Sequence, residues 1–475
     1  MFANKTKMRR LLFIGITLLL LSLSSYAQLR LPSIISSGMV LQQNDSCTLW
    51  GWGNPSEKIY VTTSWNGKTD SSSVNNRANW KIKLKTPGAG GPYTITLKGT
   101  NTITLSDVMI GEVWVCSGQS NMEWSYWNGL QDVKDELPIC YNNNIRFFNI
   151  PKTTANHPQD DVKADWKVCD SNTLKSFSAV GYFFGKRLNK ELNVPIGLIN
   201  SSWGGTPAEV WTPEPIFDND EELRLSAARL QGFRWWPNHD GLCYNAMIDP
   251  ITKFNIAGAI WYQGESNIGN NDTYHKLFTT MIKSWRDAWK KDFPFYYVQI
   301  APYRYNQNNV CALIQEAQTK AMNFSNTGMV VITDLVEDTN QLHPKNKHDV
   351  GYRLASWALG ETYKIKGLAY KSPVYKSKTT SNDKITLSFD NVPKGFKENN
   401  NIEGFYILDL KTEQWVPAQA KIEKDKIIVW KDGAKPAHVR YAFGNTLIGN
   451  VFSKEGLPLC AFRTDDFEID QSPIK

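Results

Sequence analysis

The chain has little of what several function classes require. No two of its seven cysteines (47, 116, 140, 169, 243, 311 and 460) stand at paired metal-ligand spacing, and they are too sparse for a disulfide scaffold. Cys140 and Cys169 are free to pair in an oxidising compartment, and the odd total leaves at least one thiol outside such pairing. Beyond Leu23 no apolar run is long enough to cross a bilayer. The net charge of +7 is not gathered into a Lys/Arg face that would track phosphates, which argues against nucleic acid as a partner. Internal repeats and low-complexity tracts are absent as well.

What is there begins with a targeting segment. Lys5, Lys7, Arg9 and Arg10 precede the apolar stretch Leu11 to Leu23, and Ser25-Tyr26-Ala27 supplies small residues for cleavage. Residues 1–27 therefore read as a signal peptide, and no cysteine near the cut suggests a lipid anchor. The expectation is an exported protein, periplasmic or extracellular, with no stable membrane insertion after cleavage.

The remainder divides by texture. Residues 28–105 carry short alternating runs such as "KIYVTTSWNGK", where Asn66-Gly67 is a hairpin signal, and predict a small β-sandwich. Residues 106–366 alternate apolar strands ("VMIGEVWVC", "PIGLINSS", "IAGAIWYQ", "FPFYYVQIAP", "GMVVITDL") with segments of helical period. Phe184, Leu188 and Leu192 recur at that period, as do Leu277, Met281, Trp285 and Trp289. That alternation predicts an α/β fold, a three-layer α/β/α domain with a mostly parallel sheet. Residues 367–475 return to strands and turns and predict a second β-rich module. Between Pro213 and Asp240, a charged, Trp-containing stretch reads as an excursion that shapes a substrate wall.

In parallel sheets ligands sit beyond the carboxyl ends of the strands. The first strand ends in Ser117-Gly118-Gln119-Ser120-Asn121, where a serine is either a nucleophile on a tight turn or a helix cap. The second ends in "NSSWGGTPAEVW", whose Gly204-Gly205 lets backbone amides approach a ligand. The third ends in "WYQGESN", with Gln263, Glu265 and Asn267 crowded around a glycine: catalytic donors or a structural network. The fifth leads to His343-Pro344, ahead of an amphipathic helix. Together these ends hold what ester hydrolysis needs: the Ser120 hydroxyl, an imidazole base at His343, and N–H donors for an oxyanion from Ser120, Gly205 and either Gln263 or Asn267. Nothing in that chemistry calls for a metal or organic cofactor.

The blocks "GEVWVCSGQSNM", "GLINSSWGGTPAEVW", "AIWYQGESN" and "HPKNKHDVGYRLA", in that order, resemble the sialate O-acetylesterase family of SGNH-type hydrolases, and "GLPLCAFRTDDF" fits its C-terminal region. The resemblance implies a serine esterase that removes O-acetyl groups from sialic acids or related acetylated glycans, with Ser120 as nucleophile and His343 as base. Two departures stand out. Asn340 occupies the position, three residues before the histidine, where many SGNH enzymes carry aspartate, so the group orienting His343 is open among Asn340, Asp334, Glu337, Asp338 and a backbone carbonyl. Gly264-Glu265-Ser266-Asn267 replaces the superfamily's Gly-x-Asn-Asp, leaving the third donor open, with Gln263 preferred over Asn267. An acetyl xylan esterase and a non-catalytic glycan-binding protein are the competing readings.

Overall fold

The computed structural model describes residues 28–474, so the signal peptide expected over 1–27 lies outside the described residues. The chain forms two compact units. The smaller comprises Leu49–Ile82 and Thr94–Thr104 with the described residues up to Leu31; the larger comprises Pro32–Thr48, Lys83–Tyr93 and everything from Leu105 onward. Within the smaller unit the strand Lys58–Thr63 pairs antiparallel with Thr69–Ser73 on one side and with residues 95–98 on the other. Ile59 and Val61 point inward, while Lys58 and Tyr60 alternate outward.

The larger unit is built on a sheet with strand order Thr327–Val330, Phe295–Val298, Gly258–Tyr262, Thr102–Gly118, Ile196–Ser202, Asn142–Asn149, Trp166–Cys169. Every neighbouring pair along it is parallel except the last. The central strands are buried on both faces, which is why they read as continuous apolar runs. Successive residues still serve opposite layers. Ile260 and Tyr262 join Phe183, Phe184, Val350 and Leu354 in one core, whereas Trp261 between them meets Trp211, Phe278 and Trp285. Helices Ala179–Leu192 and Lys347–Trp357 meet so closely that a Cβ on Gly351 would lie 2.7 Å from Cβ of Phe183. This is the α/β architecture expected from the sequence, with two more strands than the five apolar runs. Asn142–Asn149 and the antiparallel edge strand Trp166–Cys169 are too polar to stand out.

Two four-stranded antiparallel sheets follow, one built on Lys384–Asp390 and Lys426–Trp430, the other on Phe405–Asp409 and Pro436–Tyr441. Their inner faces share a core containing Ile385, Leu387, Ile407, Val429 and Tyr441. The paired guanidinium and carboxylate of Arg463 and Glu316 tie the C-terminal segment to helix Val310–Ala321. Cys140 and Cys169 are both buried and unbridged, and the Cys169 thiol donates to the Cys140 carbonyl at 3.1 Å.

Register positions the site. Gly118 is level with Ser202 on one side and Tyr262 on the other. Two residues further along each chain stand Ser120, Gly204 and Gly264, so three loops distant in sequence emerge together at the carboxyl edge.

Candidate active site

The first strand stops because Gly118 (φ +133°) passes against its neighbour: a Cβ there would lie 2.3 Å from the Tyr262 carbonyl oxygen. The turn that follows opens the short helix Ser120–Glu123, with Gln119 at the N-cap. Ser120 is thus the first helical residue, and its hydroxyl does not cap the helix. Ser117 is spoken for, since its hydroxyl donates to the Ser201 carbonyl at 2.5 Å. Gln119 fastens the turn, its N–H on the Tyr262 carbonyl at 3.0 Å and its Oε1 accepting from the Ser266 N–H at 3.2 Å.

Across from this turn, His343 brings Nε2 to 2.8 Å from Ser120 Oγ. Its ring stacks on Trp124 at 4.3 Å between centroids and 21° between planes. Burial, reinforced by the charge of Lys347, lowers the imidazole's pKa to about 4. The ring is therefore neutral at physiological pH, the state a general base requires. Among the described residues, none hydrogen-bonds Nδ1. Asp334 is held bidentate by Arg353 at 2.7 and 2.5 Å, and Asp338 accepts both the N–H and the side-chain amide of Asn340. Three of the acids and amides expected as orienting groups are thus engaged elsewhere.

The Gly204-Gly205 loop closes the other side. A Cβ on Gly204 would lie 3.2 Å from Ser120 Cβ, and the Gly204 N–H donates to Glu123 Oε2 at 2.5 Å. Gly205 has φ +80° and lies beneath the Trp236 ring, which a Cβ would approach to 2.3 Å. The 213–240 excursion therefore reaches the site through Trp236. None of the described residues accepts a hydrogen bond from the N–H of Ser120 or of Gly205.

Gln263 and Asn267 lie below this loop and are wholly buried. Gln263 Nε2 donates to Asn267 Oδ1 at 2.6 Å and to the Thr206 carbonyl at 3.3 Å, which engages both amide hydrogens. Asn267 accepts the Ala208 N–H at 2.9 Å and donates to buried Glu209 at 2.8 Å. The carboxyl of Glu209 is pushed up by burial, an effect its amide donors oppose. Instead of facing a substrate freely, the two side chains brace the loop that carries Gly205.

A second buried cluster realises the structural-network reading of Glu265, with members, Asn121 and Lys347, that the sequence did not single out. Asn121, next to the serine, donates to Glu265 Oε1 at 2.6 Å and to the Leu342 carbonyl at 3.2 Å, and accepts from Lys347 Nζ at 2.6 Å. One amide thereby links the residue after Ser120 to the residue before His343. Lys347 is fully buried, and its ammonium lies 5.4 Å from the Trp124 ring centroid and 5.5 Å from that of Tyr262. Burial pulls its pKa down to about 7 against the opposing charges of Glu265 and Asp132. Nothing in "HPKNKHDV" marks Lys347 as interior, because a lysine in a polar run ordinarily reads as solvent-facing.

Among the described residues no cluster of histidine, cysteine and acidic side chains is arranged to hold a metal, and no helix is long and apolar enough to cross a membrane. The profile of the family described as carbohydrate esterase, sialic acid-specific acetylesterase, matches residues 110–359, a span that takes in the serine turn, the glycine loop, the Gln263–Asn267 segment and His343. The chain belongs to this esterase family. Human sialate O-acetylesterase is 30% identical over 388 residues, covering 73% of each chain. The mouse enzyme of the same name is 28% identical over 472 residues, 85% of this chain and 87% of its own. A crystal structure of a carbohydrate acetylesterase from Xanthomonas citri superposes with a TM-score of 0.84 at 32% identity, covering 93% of this chain and all of that one. The likeness extends beyond the profile-matched region of this carbohydrate esterase, through the β-rich C-terminal segment.

Proposed function

We propose that the protein removes O-acetyl groups from sialic acids or closely related sugars through an acetyl-serine intermediate. The observation that carries this reading is the 2.8 Å approach of His343 Nε2 to Ser120 Oγ. The Ser120 oxygen attacks the acetyl carbonyl carbon while Nε2 takes the hydroxyl proton. The oxyanion that forms lies between the N–H groups of Ser120 and Gly205, with Gln263 and Asn267 holding the glycine loop in place. Collapse breaks the ester bond, and the imidazolium returns its proton to the departing sugar oxygen. Water, deprotonated by the same nitrogen, then attacks the acetyl-serine and releases acetate.

Accepting a proton at Nε2 requires the tautomer with hydrogen on Nδ1. In many serine hydrolases a carboxylate holds that hydrogen. Here the plane of the ring is held by the Trp124 stack, which makes the pair a Ser120–His343 dyad. The Glu265 carboxyl and the Lys347 amine serve as scaffolding for both catalytic loops through Asn121.

Acetate release from O-acetylated sialic acid and from acetylated xylan, measured side by side, tests the substrate assignment. The reading expects faster turnover of the sialate ester; release from xylan alone would replace it with a plant-polysaccharide esterase.

A further inference from the structure

Beside the serine turn lies a cavity of about 350 Å³ lined by Glu123, Ser125, Trp127, Asn149, Lys152 and Ser202, among others. Its floor is the carboxyl ends of Ile196–Ser202, the neighbour of the strand that leads into the Ser120 turn, and of Asn142–Asn149, the next strand out. Glu123 is common to the cavity and the catalytic turn, since the carboxylate that faces the cavity also accepts the Gly204 N–H, and Gly204 rests on Ser120. Glu123 therefore ties the cavity's lining to the loop that carries the proposed oxyanion donor.

Its lining is largely polar, with Ile150, Pro151 and Trp127 as the apolar exceptions. Trp127 is 69% exposed, unusual for so large an apolar side chain. It is not loose: its one-turn helix is closed by Gly129 in the left-handed region, its ring meets Tyr126 edge-on at 5.2 Å, and its indole N–H donates to Ser176 Oγ at 3.3 Å. Opposite chemistry comes from Lys152, whose ammonium bonds Glu123 at 2.5 Å and, having three hydrogens, retains donors for a ligand. Asn149, Asn200 and Ser202 form a chain of hydrogen bonds at 2.7 and 2.8 Å that fixes polar groups along the floor. A rigid, exposed indole facing fixed donors and acceptors suits a ring with one C–H face and an edge of hydroxyls. The volume, at the low end of the roughly 300–1,000 Å³ usual for ligand pockets, suits a single such ring.

We infer that this cavity is the sugar subsite: it seats the pyranose ring of the acetylated substrate against Trp127, with Lys152 and Glu123 bonding its polar edge, so that the O-acetyl group extends over Gly204 to Ser120. The inference rests on the esterase reading for its substrate, and its test separates the two. The first readout is binding, followed by saturation-transfer NMR with three unacetylated probes: N-acetylneuraminic acid, galactose and xylose. Wild type binds at least one probe, and Trp127→Ala and Lys152→Gln each weaken that binding at least tenfold. Binding of none, or binding unchanged in both variants, overturns the subsite even if the enzyme hydrolyses esters. The second readout is the ratio of kcat/KM for an O-acetylated sugar to that for an aryl acetate. The inference expects the ratio to fall at least tenfold in Trp127→Ala through a rise in KM for the sugar; a ratio that stays constant contradicts it. Absence of turnover of either ester by wild type would defeat the esterase reading and leave the binding readout to decide the subsite.

Discussion

His343 Nε2 and Ser120 Oγ are 2.8 Å apart across 223 residues of sequence, and no described carboxylate hydrogen-bonds the imidazole. The base must therefore be kept neutral and in plane by its surroundings. Burial, the Lys347 charge and the Trp124 ring together do this.

The first consequence is a pH profile. With His343 lowered to about 4, the acid limb of kcat/KM for an aryl acetate should have its midpoint near pH 4, well below the ordinary imidazole value of 6.5. Stability should follow the same group. Above pH 6.5 the imidazole is neutral in both states; as pH falls toward 4 the unfolded chain takes the proton first, so stability is lost across that window. Denaturant midpoints should show wild type losing stability between those limits relative to His343→Gln, and parallel curves would contradict the burial of a neutral ring.

Asn121 joins the two catalytic loops through Glu265, Lys347 and the Leu342 carbonyl. Hydrogen bonds to charged groups contribute about 1.5–3 kcal/mol each. Asn121→Ala should lower kcat by about tenfold to a hundredfold, with KM nearly unchanged, since a tenfold change corresponds to about 1.4 kcal/mol. Steady-state kinetics with wild-type kcat would show that the bridge does not position the pair.

Much of this could be read from the chain, and the limits have physical reasons. Strands buried on both faces leave uninterrupted apolar runs, so the central strands and the loops at their ends were legible, as was the candidacy of Ser120, Gly205 and His343. The strand Asn142–Asn149 was not, because three asparagines open it and apolar residues fill only its second half. Asn121, Trp124 and Lys347 were missed because their roles depend on which loops meet in space. A buried lysine has the same letter as an exposed one. Gln263 and Asn267 were recognised as important polar groups, yet their direction, downward onto Thr206 and Glu209, depends on the tertiary packing.

Lys347 and Glu265 should be coupled. Removing one member of a buried charged pair typically destabilises by about 3–5 kcal/mol. Lys347→Met should therefore unfold at lower denaturant at pH 6, below the value of about 7 to which burial lowers Lys347, where its ammonium is charged. The deficit should shrink as pH falls, because the Glu265 carboxyl, already raised by burial, protonates more readily once its cation is gone. Combining it with Glu265→Gln should restore part of the loss, and strictly additive effects would refute the coupling.

Gly205 combines a φ of +80° with the Trp236 ring directly over it. An alanine there strains the backbone and displaces the ring, moving the N–H that faces the oxyanion. Loss of one such donor costs about 2.7–4 kcal/mol, so Gly205→Ala should reduce kcat about a hundredfold to a thousandfold. A near-native Tm with that loss would assign the effect to catalysis, whereas an active variant would remove Gly205 from the oxyanion site.

The central claim is that Ser120 carries the acetyl group. Rapid-quench reaction with an aryl acetate, followed by peptide mass mapping, should find acetyl on the Ser120 peptide and a burst of released alcohol in wild type, both absent from Ser120→Ala, whose kcat should fall by about a thousandfold or more. An acetylated peptide elsewhere, or a burst that survives in Ser120→Ala, would contradict the account.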